Sequence, residues 1–271
     1  MVSIGAIQMT SSPDVDINIA KVKALLPPKS ETPQLVVLPE CFSLFGAGDK
    51  AQLELAQHRQ AHILSQLQQL AKAHNCWLVA GTLPTLSSQG AKFRAASYCI
   101  NNSGEVVARY DKIHLFDVSV EDNTGSYRES RYTAPGTEVV CVDSPFGKIG
   151  MAVCYDIRFA GLFQAMGAID VLVLPSAFTQ KTGQAHWHAL LQARSIELQC
   201  YVVGADQWGT HENERKTYGN SVIYSPWGEQ LACIEQNEGY ISASLDSKRL
   251  TAIRQQMPVY QHRRFRSHFD Q

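Results

Sequence analysis

The 271-residue chain is 45% hydrophobic and carries 24 basic against 25 acidic residues. That balance leaves no cationic surplus to pair with a nucleic-acid backbone or an anionic membrane, so neither partner is expected. Seven cysteines, odd in number and without a CxxC pair, argue against a disulfide framework or a zinc knuckle.

In chain order, "SIGAIQM" (3–9) predicts a strand and the stretch around 16–26 a helix. "QLVVLPE" (34–40) predicts a buried strand, and 51–74 a long amphipathic helix with Leu53, Ala56, Ile63, Leu67, Leu70 and Ala71 on one face. "WLVAGT" (77–82) predicts a third strand, followed by a hairpin over 97–112 that turns at Asn102-Ser103-Gly104. The second half repeats the order. "KIGMAVC" (148–154) echoes "SIGAIQM" and "DVLVLPS" (170–176) echoes "QLVVLPE"; a helix over 186–199 leads to "YVVGAD" (201–206) and a closing hairpin over 221–234. This alternation predicts an α/β fold of two similar halves, each a sheet with helices on one face, packed into a four-layer αββα sandwich.

The N-terminus has no charged leader before a long apolar stretch, and no run approaches the ~20 apolar residues that a membrane span needs. With most cysteines inside apolar runs, the expectation is a soluble, cytoplasmic protein with reduced thiols. The basic stretch "HRRFR" (262–266) is expected to be pinned to its own protein or to a partner subunit.

Three side chains stand where apolar runs end: Glu40 after "LVVLP", Lys112 in "RYDKIHLFD" and Cys154 in "GMAVCYDIRF". Ligands in α/β sheets gather at the carboxyl ends of strands, so such residues can converge. Each also has a plainer reading, as a solvated acid, a surface ammonium or a packed thiol. Taken together, a thiol, a carboxylate to take its proton and an ammonium facing a developing oxyanion suffice for acyl transfer through a thioester. Histidine is the commoner base, and His114 lies close to Lys112. Glu129, in the polar stretch "EDNTGSYRES" (121–130), is a further acid, and Arg158 either pairs with Asp156 or faces a ligand carboxylate.

"LVVLPECF", "RYDKIHLFD" and "GMAVCYDIRF" closely resemble the three catalytic motifs of the nitrilase superfamily, the carbon–nitrogen hydrolases, and the likeness runs over nearly the whole chain. The resemblance implies an αββα sandwich in one domain over 1–271, a homodimer or larger homo-oligomer, and no cofactor or metal. It implies Cys154 as nucleophile, Glu40 as general base, Lys112 as stabiliser of the tetrahedral intermediate and Glu129 as the second glutamate, with the Tyr155 backbone N–H completing the oxyanion site. "KIHLFDV", "THENERKTYGNS" and "PVYQHRR" are similar to the branch that holds deaminated-glutathione amidases. That likeness implies hydrolysis of an amide with an α-keto-acid end, releasing 2-oxoglutarate and cysteinylglycine, with Arg158, Phe178 and Thr182 near the carboxylate.

The chain departs from its relatives at Ala160-Gly161, where many carry Pro-Glu, and at His188, where the branch usually has Glu. Within the superfamily the alternatives are an ω-amidase acting on α-ketoglutaramate, or a nitrilase. Outside it stands a non-catalytic binding protein that keeps the fold. A metal site on His186 and His188 is disfavoured because helical positions two apart do not share a face.

Overall fold

The computed structural model describes residues 2–88, 90–120 and 126–265, the side chain of Asp49 excepted. The first half runs β1 (Val2–Gln8), α1 (Val15–Leu25), β2 (Gln34–Val37), α2 (Asp49–His58), α3 (Gln60–His74), β3 (Cys76–Leu86), β4 (Phe93–Ile100) and β5 (Val106–Asp111). A short hairpin, β6 (Asp117–Ser119) and β7 (Ser126–Arg128), leads on to β8 (Cys141–Ser144) and β9 (Gly147–Met151). The second half continues with α4 (Ala160–Ala165), β10 (Val171–Ser176), α5 (Gln180–Leu198), β11 (Tyr201–Asp206), β12 (Trp208–Thr210), β13 (Lys216–Tyr218), β14 (Ser221–Tyr224) and β15 (Gln230–Ile234). The described chain closes on β16 (Gly239–Leu245), α6 (Ser247–Gln256) and α7 (Val259–His262).

Two six-stranded sheets result, ordered β16-β1-β2-β3-β4-β5 and β8-β9-β10-β11-β14-β15. In each, three central parallel strands are flanked by antiparallel ones. The sheets therefore match strand for strand, β1 with β9, β2 with β10 and β3 with β11, as the internal echo predicts.

The alternation of strand side chains builds the layers. From the first sheet, Ile4, Ala6, Leu35, Val37 and Val79 enter one core with Met151, Val173 and Val203 of the second sheet. Their neighbours Ile7, Val36, Leu38, Leu78 and Ala80 turn the other way, under Val22, Leu55, Ile63 and Leu67 of the helices. Strands covered on both faces must be apolar throughout, which is why "QLVVL" and "VLVL" show no polar alternation.

Several boundaries differ from the sequence reading. The predicted helix over 51–74 is two helices, broken at Arg59 (φ −124°, ψ −15°) without proline or glycine. The break swings α2 so that Leu55 and Ala56 bury against the sheet and Gln52 reaches the rim of the cavity described below. The helix of the second half starts earlier than 186, because Thr179 caps it by accepting the Thr182 N–H on its side chain. Neither reactive residue lies in a strand: β2 stops at Val37 and β9 at Met151, so Glu40 and Cys154 occupy the turns beyond. The basic tail is pinned to its own protein where Arg263 Nη1 donates to the Gln164 carbonyl at 3.2 Å; Arg266 lies outside the described residues.

The turn carrying Glu40 leans on Gly81, a bulge residue in β3 at φ +32°. A Cβ there would stand 1.9 Å from the Pro39 carbonyl oxygen. Gly48, at φ +81°, has nothing within 4 Å of its would-be Cβ. Gly48→Ala should therefore cost only the penalty of a side chain in this glycine-favouring backbone conformation (φ +81°, ψ 167°), about 1–3 kcal/mol. Gly81→Ala adds a backbone clash and should lower the thermal midpoint distinctly further; equal shifts in a melting experiment would contradict this packing.

Candidate active site

Lys112 sits just past β5, anchored by its own N–H to the Ala95 carbonyl and by the Gly136 N–H to its carbonyl. Its ammonium is 2% exposed and lies 2.8 Å from Glu40 Oε1 and 2.9 Å from Glu129 Oε2. Glu129 opens a 3-10 turn (Glu129–Arg131), and its Oε2 also accepts the Phe116 N–H at 2.7 Å. Behind Glu40, Gln207 Nε2 donates to the Glu40 carbonyl at 2.9 Å and the Cys41 N–H donates to Thr82 Oγ1 at 2.8 Å. Burial alone would pull the Lys112 ammonium down, but the Glu129 and Glu40 charges outweigh it and hold its pKa well above the ordinary value. Burial pushes Glu129 up, against the pull of Lys112.

Cys154 begins a second 3-10 turn (Cys154–Arg158) with φ +48°, a left-handed conformation rare for a residue with a side chain. Such strain is held only where the surroundings over-determine it. Asp156 is the determinant. Fully buried, it accepts Tyr110 Oη at 2.7 Å and the Val153 N–H at 2.9 Å on Oδ2, while Oδ1 takes the His114 N–H at 3.0 Å and meets His114 Nδ1 at 2.7 Å. One carboxylate thus ties the nucleophile's turn to the loop that carries Lys112. The expected alternative of an Asp156–Arg158 pair is not formed, because Asp156 is already saturated.

The Cys154 thiol is buried, and burial together with the Glu40 charge pushes its pKa well above the ordinary value, against Lys112 and the Ala177 backbone amide. The resting nucleophile is therefore a neutral thiol that shares its cavity with the Glu40 carboxylate. The Tyr155 N–H belongs to the opening of a helical turn, where amides lack intrahelical acceptors.

All eight residues singled out in the sequence border one cavity of about 300 Å³: Glu40, Lys112, Glu129, Cys154, Tyr155, Arg158, Phe178 and Thr182. Arg158 packs on the Tyr155 and Phe178 rings, its guanidinium carbon 5.9 and 5.5 Å from their centroids, with Nη1 3.2 Å from His186 Nδ1. His188 points elsewhere, to Tyr224 Oη at 3.0 Å and Asn220 Oδ1 at 3.4 Å. The two histidines thus make separate contacts, and among the described residues no cluster of His, Cys, Asp or Glu suits a metal ion. His114 is engaged by Asp156 and stacks on Phe159 at 3.7 Å between ring centroids. Residues 121–125 of the polar stretch lie outside the described residues.

Sequence reasoning missed four contributors. Cys41 (φ +56°) and Arg215 also line the cavity. Asp156 was named only as a partner for Arg158, not as the residue that holds the Cys154 turn. Asp206, at the end of β11, is buried and accepts the Phe178 N–H at 2.9 Å; burial raises its carboxyl well above the ordinary range. Arg215 belongs to the quoted segment "THENERKTYGNS", but nothing local marks a polar hairpin residue as facing a distant cavity.

This four-layer fold, with Glu, Lys and Cys meeting at the sheet ends, defines a class. The family model described as carbon-nitrogen hydrolase matches residues 3–255, and the chain belongs to that family. It is 36% identical over 269 residues to a deaminated glutathione amidase of Yersinia enterocolitica, covering 97% of this chain and 93% of that one. The protein of that name from Bos taurus is 37% identical over 268 residues, covering 96% and 81%. Among solved structures, yeast Nit3, a member of branch 10 of the nitrilase superfamily, superposes with a TM-score of 0.85 at 28% identity over 97% of both chains. The nitrilase and fragile histidine triad fusion protein of C. elegans superposes at 0.87 with 35% identity; this chain covers 65% of it, and 97% of this chain is matched.

Replacing Lys112 by Met leaves two buried carboxylates uncompensated, a loss on the order of 3–5 kcal/mol at neutral pH. Without the ammonium, Glu129 is raised further, so the folded variant holds a proton that the unfolded chain has released. A raised folded pKa stabilises below the unfolded value, and that contribution is lost as pH rises through the folded one. The stability gap between wild type and variant should therefore be wider at about pH 8 than at about pH 5 in urea unfolding. An equal gap would contradict the buried arrangement.

Proposed function

We propose that this carbon–nitrogen hydrolase cleaves deaminated glutathione, releasing 2-oxoglutarate and cysteinylglycine, through a thioester on Cys154. The observation that carries the reading is the Lys112 ammonium held between Glu40 and Glu129 in the cavity that contains the Cys154 thiol and Arg158, which has no ion pair among the described residues. The branch likeness supports the substrate, since relatives 36% and 37% identical over nearly the full chain bear that name.

Glu40 takes the thiol proton as Sγ attacks the amide carbon. The oxyanion is stabilised by Lys112 Nζ and the Tyr155 N–H, and Glu129 keeps the ammonium in place. As the tetrahedral intermediate collapses, the proton on Glu40 passes to the departing nitrogen, leaving an acyl thioester and a free amine. A water then gives its proton to Glu40 and attacks the thioester. Collapse expels the sulfur, which recovers that proton, and the acid departs. Arg158, its fork steadied by two rings, suits a carboxylate at the acyl end, with Phe178 and Thr182 beside it.

Assembly into a homodimer or larger homo-oligomer is proposed with it, supported by exposed apolar side chains such as Ile196, Trp227 and Tyr260. All seven cysteines are free thiols, which supports a reducing, cytoplasmic setting.

A steady-state panel tests the substrate: kcat/KM should be highest for deaminated glutathione, lower for α-ketoglutaramate and lowest for a simple nitrile. A nitrile at the top of that order would overturn the reading. Cys154→Ala should abolish turnover while its melting profile stays cooperative, and residual activity within about 100-fold of wild type would exclude the covalent route.

A further inference from the structure

Three arginines border the cavity. Arg128 is exposed, and Asp117 feels its charge. Arg158 and Arg215 are half-buried, and neither forms an ion pair among the described residues. Lys112 is committed to its two carboxylates. Among the described residues, the cavity therefore holds two guanidiniums without an ion pair, on different supports. Arg158 rests on Tyr155 and Phe178, on the nucleophile's own turn. Arg215 comes from the loop before β13, lies 5.0 Å from the ring centroids of both Phe45 and Tyr127, and donates from Nη2 to the Ala177 carbonyl at 3.0 Å. Its Nε is buried without a hydrogen-bond partner among the described residues. A fork fixed between two rings is already oriented for a planar anion.

The reaction assigns the two forks to opposite sides of the scissile bond. The leaving nitrogen must collect its proton from Glu40, so the leaving fragment extends past that residue. Arg215 is the arginine on this side, its guanidinium carbon 5.0 Å from the ring centroid of Phe45, in the segment that directly follows Glu40. We propose that Arg215 binds the carboxylate of the leaving fragment, while Arg158 holds the α-keto-acid carboxylate, so that the site selects amides that are anionic at both ends. This rests on the deaminated-glutathione reading and names its second anchor.

The test compares 2-oxoglutarate release from deaminated glutathione with release from the same compound capped as a primary amide at its glycine carboxylate. Wild type should prefer the free carboxylate by on the order of 10–100-fold in kcat/KM, mostly through KM. In Arg215→Met that ratio should fall to about one, whereas Arg158→Met should lower both substrates together and keep the ratio. Should Arg215→Met fail to fold, Arg215→Lys carries the test, because a point charge cannot reproduce the fork and the ratio should drop several-fold. A wild-type ratio in Arg215→Met or Arg215→Lys, or its loss in Arg158→Met alone, overturns the proposal while leaving the substrate standing. If wild type releases 2-oxoglutarate from neither compound, the substrate reading falls and this inference falls with it.

Discussion

An ammonium buried between two carboxylates is the constraint on which the rest of this molecule depends. Lys112 is almost inaccessible, and each of its acidic partners comes from a different stretch of chain. Taking three charges out of water is tolerable only when their geometry is tightly held. The cluster carries one positive and two negative charges, and this residual negative potential shapes everything nearby. Together with burial, the Glu40 charge keeps the adjacent thiol protonated, and the cluster repels any substrate bearing a carboxylate. Arginines on the cavity wall offset that repulsion.

The doubled sandwich supplies the holding. Glu40 follows β2, Lys112 follows β5 and Cys154 follows β9, so the site straddles the two sheets. Asp156 links the Cys154 turn to the Lys112 loop, and Gln207, just past β11, braces the Glu40 backbone. Each half carries a strand end that the other uses differently. At the end of β1, Gln8 accepts the Ser221 N–H and donates to the Asn237 carbonyl, a structural role where its counterpart strand leads to the nucleophile.

Much of this was legible in the sequence because the strands are buried on both faces and therefore read as apolar runs with sharp ends. The internal echo predicted the matching strand orders, and the motifs named the residues that meet in the cavity. The break at Arg59 was not legible, since neither a proline nor a glycine marks it and the apolar phase continues on both sides. The left-handed Cys154 was hidden as well, because Asp156, which holds its turn, is itself fixed by Tyr110 and His114, 46 and 42 residues away in the chain. Arg215 escaped for the same reason. Its segment is polar and loop-like, and only the folded hairpin carries it to Phe45 and Tyr127.

The central claim is that the buried ammonium and its carboxylates serve a covalent cycle on one thiol. Rapid quenching during turnover of deaminated glutathione, followed by peptide mass spectrometry, tests it most directly. The account predicts a 2-oxoglutaryl adduct on the peptide containing Cys154, formed and lost at rates compatible with turnover. An acyl adduct on any other residue, or none at Cys154 when the thioester is trapped with hydroxylamine during turnover, would contradict it.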